Sequence, residues 1–274
     1  MQLIKRFIEF IIYSNIWIAL GSICFCIESF ILHQQSINYW YLCFLFSSTA
    51  VLYNAHRIIG LKVYIKNNGA NRFNHILEYP TIIYLLSFSL AFLALYSFYQ
   101  IRALVSYWMI VAIVASLLYV TPLLSKIRLR DLPFIKIFLI AVCWTILCYI
   151  IPIEEVDNAL IVERFLFMIA ITIPFDIRDI QTDKLANTKT LISLMGVRYS
   201  KALACFCAII ACALLLHYIF RNYGPGSRYL GFYVGFYLFC IFLILRTKTS
   251  NSDFYYSGII DGLLVLRIAL LLLS

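Results

Sequence analysis

Asp176, Asp179 and Asp183 are spaced three and four residues apart in a chain that has only 13 acidic residues among 274. On an α-helix, at about 100° per residue, these positions fall within roughly a 60° arc, so one face carries all three carboxylates. Carboxylates crowded at the edge of an apolar segment repel one another and stay ionised only where cations neutralise them. A divalent metal is the simplest such cation. Mg2+ suits oxygen ligands and takes one or two carboxylates, with water and substrate phosphate completing its shell. The pattern therefore predicts Mg2+ and a diphosphate. A solvated helix end neutralised by Arg178, Lys184 and Lys189 is the simpler alternative, but the same flank is otherwise strongly basic. Pro174 removes a backbone donor and frees the Ala170 carbonyl, which is expected to loosen the helix beside the ligands. Lys126, Arg128 and Arg130, in an earlier loop, are a second set of phosphate partners.

The elements that must position these residues are membrane helices. Hydrophobic residues make up 64% of the chain and charged ones 13%, against about 25% charged in a soluble domain. Windows of about 20 apolar residues, matched to a bilayer core of about 30 Å, place spans near 8–30, 38–59, 80–99, 103–122, 133–152, 161–180, 200–220, 228–246 and 256–273. The fold class is an all-α integral membrane protein, nine transmembrane helices in one bundle over 1–274, with no linker that divides it. The first span reads as a retained helix rather than a cleaved leader, since Glu28 and His33 close it and no small-residue cleavage site follows.

Seventeen of the 22 Lys and Arg fall at one set of helix ends, whereas the opposite set has Arg102, Arg164, Arg221, Arg228 and Arg267. The positive-inside rule then puts the N-terminus in the cytoplasm, with the three-acid stripe on that side and the C-terminus outside. A multi-pass protein of a bacterial cytoplasmic membrane is expected. A net charge of +9 with no soluble module gives no support to nucleic-acid binding. The nine cysteines lie almost entirely in apolar spans and read as packing residues. The longest polar stretches are loops at 60–79, 123–132 and 181–199, while 152–158 reads as a solvated acidic turn. Asn54 and Asp176 lie four spans apart, the spacing of two related halves whose sites face each other.

The string Asp176-Ile-Arg178-Asp179-Ile-Gln-Thr-Asp183, followed by Asn187-Thr-Lys189-Thr190-Leu191 and Gly196, resembles the second aspartate-rich motif of the UbiA superfamily of intramembrane prenyltransferases. Tyr119-Val-Thr-Pro122-Leu-Leu-Ser-Lys126 is similar to that family's tyrosine–proline–lysine segment. The resemblance extends over essentially the whole chain and is most specific over 174–196. It implies a membrane enzyme that transfers a polyprenyl group from its diphosphate to a lipophilic, commonly aromatic, acceptor. It implies Asp176, Asp179 and Asp183 as Mg2+ ligands of catalysis, and Asn54, Arg57, Lys126, Arg178 and Lys189 as diphosphate contacts.

The first aspartate-rich motif of that family departs here to Asn54-Ala55-His56-Arg57-Ile58-Ile59-Gly60-Leu61-Lys62. Asn54 is kept, but Ala55, Ile58 and Lys62 stand where acids are expected, so the first metal centre is expected to be absent or altered. Arg57 or Lys62 binding phosphate directly would supply the missing charge. A non-catalytic relative that binds an isoprenoid or lipid is the competing reading. A secondary transporter would carry its acids nearer the bilayer midplane. Asp261, inside the ninth span, is either a functional acid or the partner of an arginine from another span.

Overall fold

The computed structural model describes residues 2–65, 77–120, 135–185 and 190–272. Ten helices build it: α1 (Gln2–Tyr13), α2 (Ile16–Leu32), α3 (Tyr39–Ile65), α4 (Pro80–Gln100), α5 (Tyr107–Val120), α6 (Ile135–Thr145), α7 (Asn158–Leu185), α8 (Leu191–Tyr223), α9 (Arg228–Arg246) and α10 (Asp261–Leu272). Wide π-type turns extend α6 through Ile146–Ile150 and lead into α10 over Tyr255–Ile260. Among the described residues, α4, α8 and α9 are each long and apolar enough to cross a membrane, α1 with α2 forms a fourth candidate across a bend, and α5 and α6 are shorter apolar helices. This is an integral membrane protein.

Most helices pack on their chain neighbours: α2 on α3, α3 on α4, α6 on α7, α7 on α8, α8 on α9, with α10 closing the ring against α2. Gly21 makes that closure tight, since a Cβ there would lie 3.0 Å from Leu264 Cδ1. All nine cysteines are free thiols, buried or half-buried in the bundle.

Four expectations need correction. The first predicted span is not one helix: the chain breaks at Ser14–Asn15, where Asn15 takes a left-handed φ of 63°, and α1 leaves α2 at 67°. Asparagine is one of the few side chains that tolerates that backbone. Pro174 does not interrupt α7, which runs unbroken to Leu185. The described residues of the polar stretch 181–199 are accordingly helical over 181–185 and 191–199, so Asp183 stays on the same helical face as Asp176 and Asp179. Finally, Glu28, Arg164 and Arg267 are not at the outer helix ends but are fully enclosed in the core.

These last residues form a neutral cluster with Glu163. Arg267 Nε lies 2.7 Å from Glu28 and its Nη2 2.6 Å from Glu163, while Arg164 Nη1 lies 2.9 Å from Glu28 and 3.1 Å from Glu163. The Tyr233 hydroxyl donates to Glu28 at 2.5 Å and that of Tyr237 to Glu163. Two acids, two arginines and two phenols thus join α2, α7, α9 and α10. Charges without water require this kind of mutual pairing and hydrogen bonding.

Candidate functional site

The acid stripe occupies the last turns of α7, and other helices bring cations to it. Asp176 is 1% exposed, and Lys136 of α6 donates to its Oδ1 at 2.6 Å. Asp179 accepts from Arg178 Nε at 2.9 Å. The Arg178 guanidinium also lies over two rings, 5.0 Å from the Phe175 centroid and 5.4 Å from that of Tyr256. Phe175 and Tyr256 pack at 5.9 Å, so the lead-in to α10 is held against α7 beside the stripe.

Asp261, at the start of α10, lies within electrostatic range of Arg178 and of Arg57. Asp253, in the loop before it, reaches Arg178 in the same way. The wide turn over 255–260 sets Asp261 at this position. The Asp261 amide donates to the Gly258 and Tyr256 carbonyls, and Trp17 Nε1 adds a second donor to the Gly258 oxygen at 2.9 Å. Such turns are frequent at functional sites.

The retained Asn54 of the altered first motif and its neighbour Arg57 both bond to the α1–α2 elbow. Asn54 is buried; its Oδ1 accepts from Asn15 Nδ2 at 2.7 Å and its Nδ2 donates to Ser87 Oγ of α4 at 3.1 Å. Arg57 Nη1 donates to the Tyr13 carbonyl. The elbow is therefore pinned to α3 by the same residues expected to contact diphosphate. Beyond the stripe, Thr190 and Ser193 cap α8 reciprocally, and Gly196, at φ 78°, kinks it in its second turn. Lys126, Asn187 and Lys189, together with the Lys62 side chain, lie outside the described residues.

Asp176, Asp179, Asp183 and Arg178 thus all lie in the last turns of α7, with Lys136 on Asp176 and Arg178 on Asp179, and Asp261 lies within electrostatic range of Arg178 and Arg57. Sequence reasoning missed Lys136, which had been counted only as a flanking positive charge. Its place inside the 133–152 span was the available signal, because an ionisable residue within a span marks a site by default. It also missed Asp253. Among the described residues, no group of three His, Cys, Asp or Glu side chains converges closely enough to hold a metal ion. Asp179 and Asp183 stand one helical turn apart, and both oxygens of Asp179 are held by Arg178. A small cavity of about 50 Å³, lined by Ser22, Leu45, Tyr53, Ser116, Trp144 and Cys148 among others, lies between α2, α3, α5 and α6. An open cleft of about 530 Å³ at the α9–α10 connection is lined by Arg246, Lys248 and Tyr255 but by no residue of the stripe.

No protein-family model matches the sequence, and no curated protein matches it. Solved structures match by fold. A UbiA homologue from Archaeoglobus fulgidus bound to GPP and Mg2+ superimposes with a TM-score of 0.67 at 15% identity, covering 96% of this chain and 97% of that one. The homologue bound to DMAPP and Mg2+ gives 0.62 at 15% identity, with 94% of each chain covered. A digeranylgeranylglyceryl phosphate synthase structure gives 0.54 at 17% identity over 100% of this chain and 97% of that one. The likeness extends over nearly the whole chain, and at these identities it is a likeness of fold.

Proposed function

We propose that this chain, which has the fold of the UbiA homologues, is a membrane prenyltransferase that moves a polyprenyl group from its diphosphate to a lipophilic acceptor. The observation that carries the reading is the meeting of the α7 acid stripe with Lys136, on Asp176, and Arg178, on Asp179, at one end of such a bundle. The nine-span count, the cytoplasmic position of that end and an aromatic acceptor belong to the same proposal, supported by the distribution of Lys and Arg and by the family resemblance.

The homologue structures hold Mg2+ with GPP or DMAPP, and Asp176, Asp179 and Asp183 are the residues that would hold such an ion here, with Lys136 and Arg178 giving up their bonds to Asp176 and Asp179 as it binds. Bound Mg2+ would supply positive charge to the departing diphosphate. The chain's own groups do the rest. Lys136 and Arg178 present fixed donors where negative charge grows as the allylic carbon–oxygen bond breaks, and a donor already in place costs no reorganisation at that moment. Lys126 and Lys189 complete the diphosphate contacts on the basic loops. Asp179 positions the Arg178 guanidinium, and the ring faces of Phe175 and Tyr256 fix its other side. The apolar bundle keeps water from the allylic carbon, leaving the acceptor as its nucleophile.

One observation favours the competing reading, a non-catalytic isoprenoid or lipid binder: Ala55 and Ile58 replace first-motif acids, and Asn54 is committed to Asn15 and Ser87. Incubating the purified protein in nanodiscs with radiolabelled geranyl, geranylgeranyl and longer diphosphates, a panel of quinone precursors, and Mg2+ or chelator separates the two. Labelled prenylated product supports the transferase. Retained isoprenoid with no diphosphate released from any donor supports the binder.

A further inference from the structure

The open cleft of about 530 Å³ at the α9–α10 connection sets Arg246, Lys248, Asn251 and Ser252 around a floor that includes Phe242 and Tyr255, and no carboxylate lines it. Among the described residues, no ion pair involves Arg246 or Lys248. The last carbonyls of a helix ordinarily make its C-terminus repel anions. Here side chains cover them. Tyr255 and Thr247 donate to the Leu243 carbonyl, Lys201 Nζ of α8 to that of Leu245 at 3.0 Å, and Asn251 Nδ2 to that of Arg246 at 3.2 Å.

The cleft opens onto an apolar track. Leu238, Phe239, Phe242 and Leu245 are all exposed, and their spacing puts them on neighbouring positions of one side of α9. The Phe239 and Phe242 rings stack with centroids 6.5 Å apart, and the Arg246 guanidinium lies over Phe242 at 5.2 Å. The cation is thus fixed where the apolar track meets the polar cleft. The positive-inside rule accounts for isolated exposed cations such as Arg6 and Arg198. It does not require two cations to share an acid-free cleft with amide and hydroxyl donors and an apolar approach, which is the form of a lipid headgroup site.

We propose that this cleft binds one anionic phospholipid of the adjoining leaflet, with its phosphate on Arg246 and Lys248 and an acyl chain along Phe242 and Phe239. Paired cations on phosphate oxygens give strong, charge-assisted hydrogen bonds. The site is separate from the prenyl diphosphate reading, because no residue of the acid stripe lines it.

The test is lipid retention by native mass spectrometry of the full chain, titrated with phosphatidylglycerol and phosphatidylcholine of identical acyl chains. One phosphatidylglycerol is expected to be held about 25-fold more tightly than phosphatidylcholine, about fivefold for each of two cations near the headgroup. Arg246→Gln with Lys248→Gln is expected to abolish that preference while leaving phosphatidylcholine retention unchanged. Arg6→Gln with Arg198→Gln, which removes the same charge at exposed positions outside the cleft, is expected to keep it. Excess glycerol 3-phosphate is expected not to displace the lipid. No preference in the wild type, or equal loss in both double variants, overturns the site. Displacement by glycerol 3-phosphate overturns the lipid assignment in favour of a free phosphate ester.

Discussion

Arg267→Met tests the four-charge cluster that holds the bundle around the site. The substitution removes contacts of 2.7 Å to Glu28 and 2.6 Å to Glu163, with a 3.3 Å bond to the Tyr237 hydroxyl. Two fully enclosed carboxylates are then left to Arg164, at 2.9 and 3.1 Å. Removing one partner of a buried ion pair costs about 3–5 kcal/mol. Hydrogen bonds between membrane helices average about 0.6 kcal/mol, because in the unfolded state their groups find other partners. The larger figure governs here, since the native state leaves a net charge with no access to water. A loss of about 3 kcal/mol, roughly a 150-fold shift in the unfolding equilibrium, is expected in reversible unfolding by steric trapping in bicelles. The quadruple replacement Glu28→Gln, Glu163→Gln, Arg164→Met and Arg267→Met keeps the core neutral and is expected to lose less than Arg267→Met alone. A single-variant loss below about 1 kcal/mol would refute the reasoning, because the cluster would then be worth no more than an average interhelical bond.

Asp157, outside the spans, caps α7 by accepting from the Ala159 amide at 2.8 Å and pairs with Arg221. Partial burial raises its carboxyl, but the amide bond and the arginine outweigh this and hold it below the ordinary value. Its contribution is therefore present above the unfolded value of about 3.9 and lost as pH falls through the folded one. A thermal-melting series should show the wild type's advantage over Asp157→Asn level above about pH 5 and shrinking below about pH 4; an advantage that grew with acid would contradict this. Gly21→Ala would set its methyl 3.0–3.1 Å from Leu264, and it is expected to cost about 1–3 kcal/mol by overpacking α2 against α10. Gly235→Ala meets nothing within 4 Å and should unfold at or above the wild-type midpoint in the same titration.

The acid stripe was legible because a single helix carries it, and helical spacing alone fixes its common face. The length and apolar character of α4, α8 and α9 were legible for the same local reason. Pairing between distant helices was not. Glu28, Glu163, Arg164 and Arg267 are brought together from positions up to 239 residues apart, and a count of Lys and Arg by helix end treats such arginines as solvated. The same count hid Lys136, whose meaning depends on Asp176 of the next helix. The elbow at Asn15 was hidden for another reason: a continuous apolar run does not reveal one residue in left-handed backbone. The fold likeness reaches nearly the full length at 15% identity, as expected where many different apolar side chains can fill the same lipid-facing and core positions.

The central claim is that fixed cations beside the α7 acids bind and release the diphosphate of a prenyl donor. Single-turnover release of diphosphate from labelled prenyl donors, with Mg2+ and a lipophilic acceptor panel, measures this directly in wild type and in Arg178→Ala. Release from the wild type with prenylation of an acceptor is predicted, about 10²–10³-fold slower in Arg178→Ala, as for loss of one preorganised donor. No release from any donor by the wild type, or release at the wild-type rate from Arg178→Ala, would contradict it.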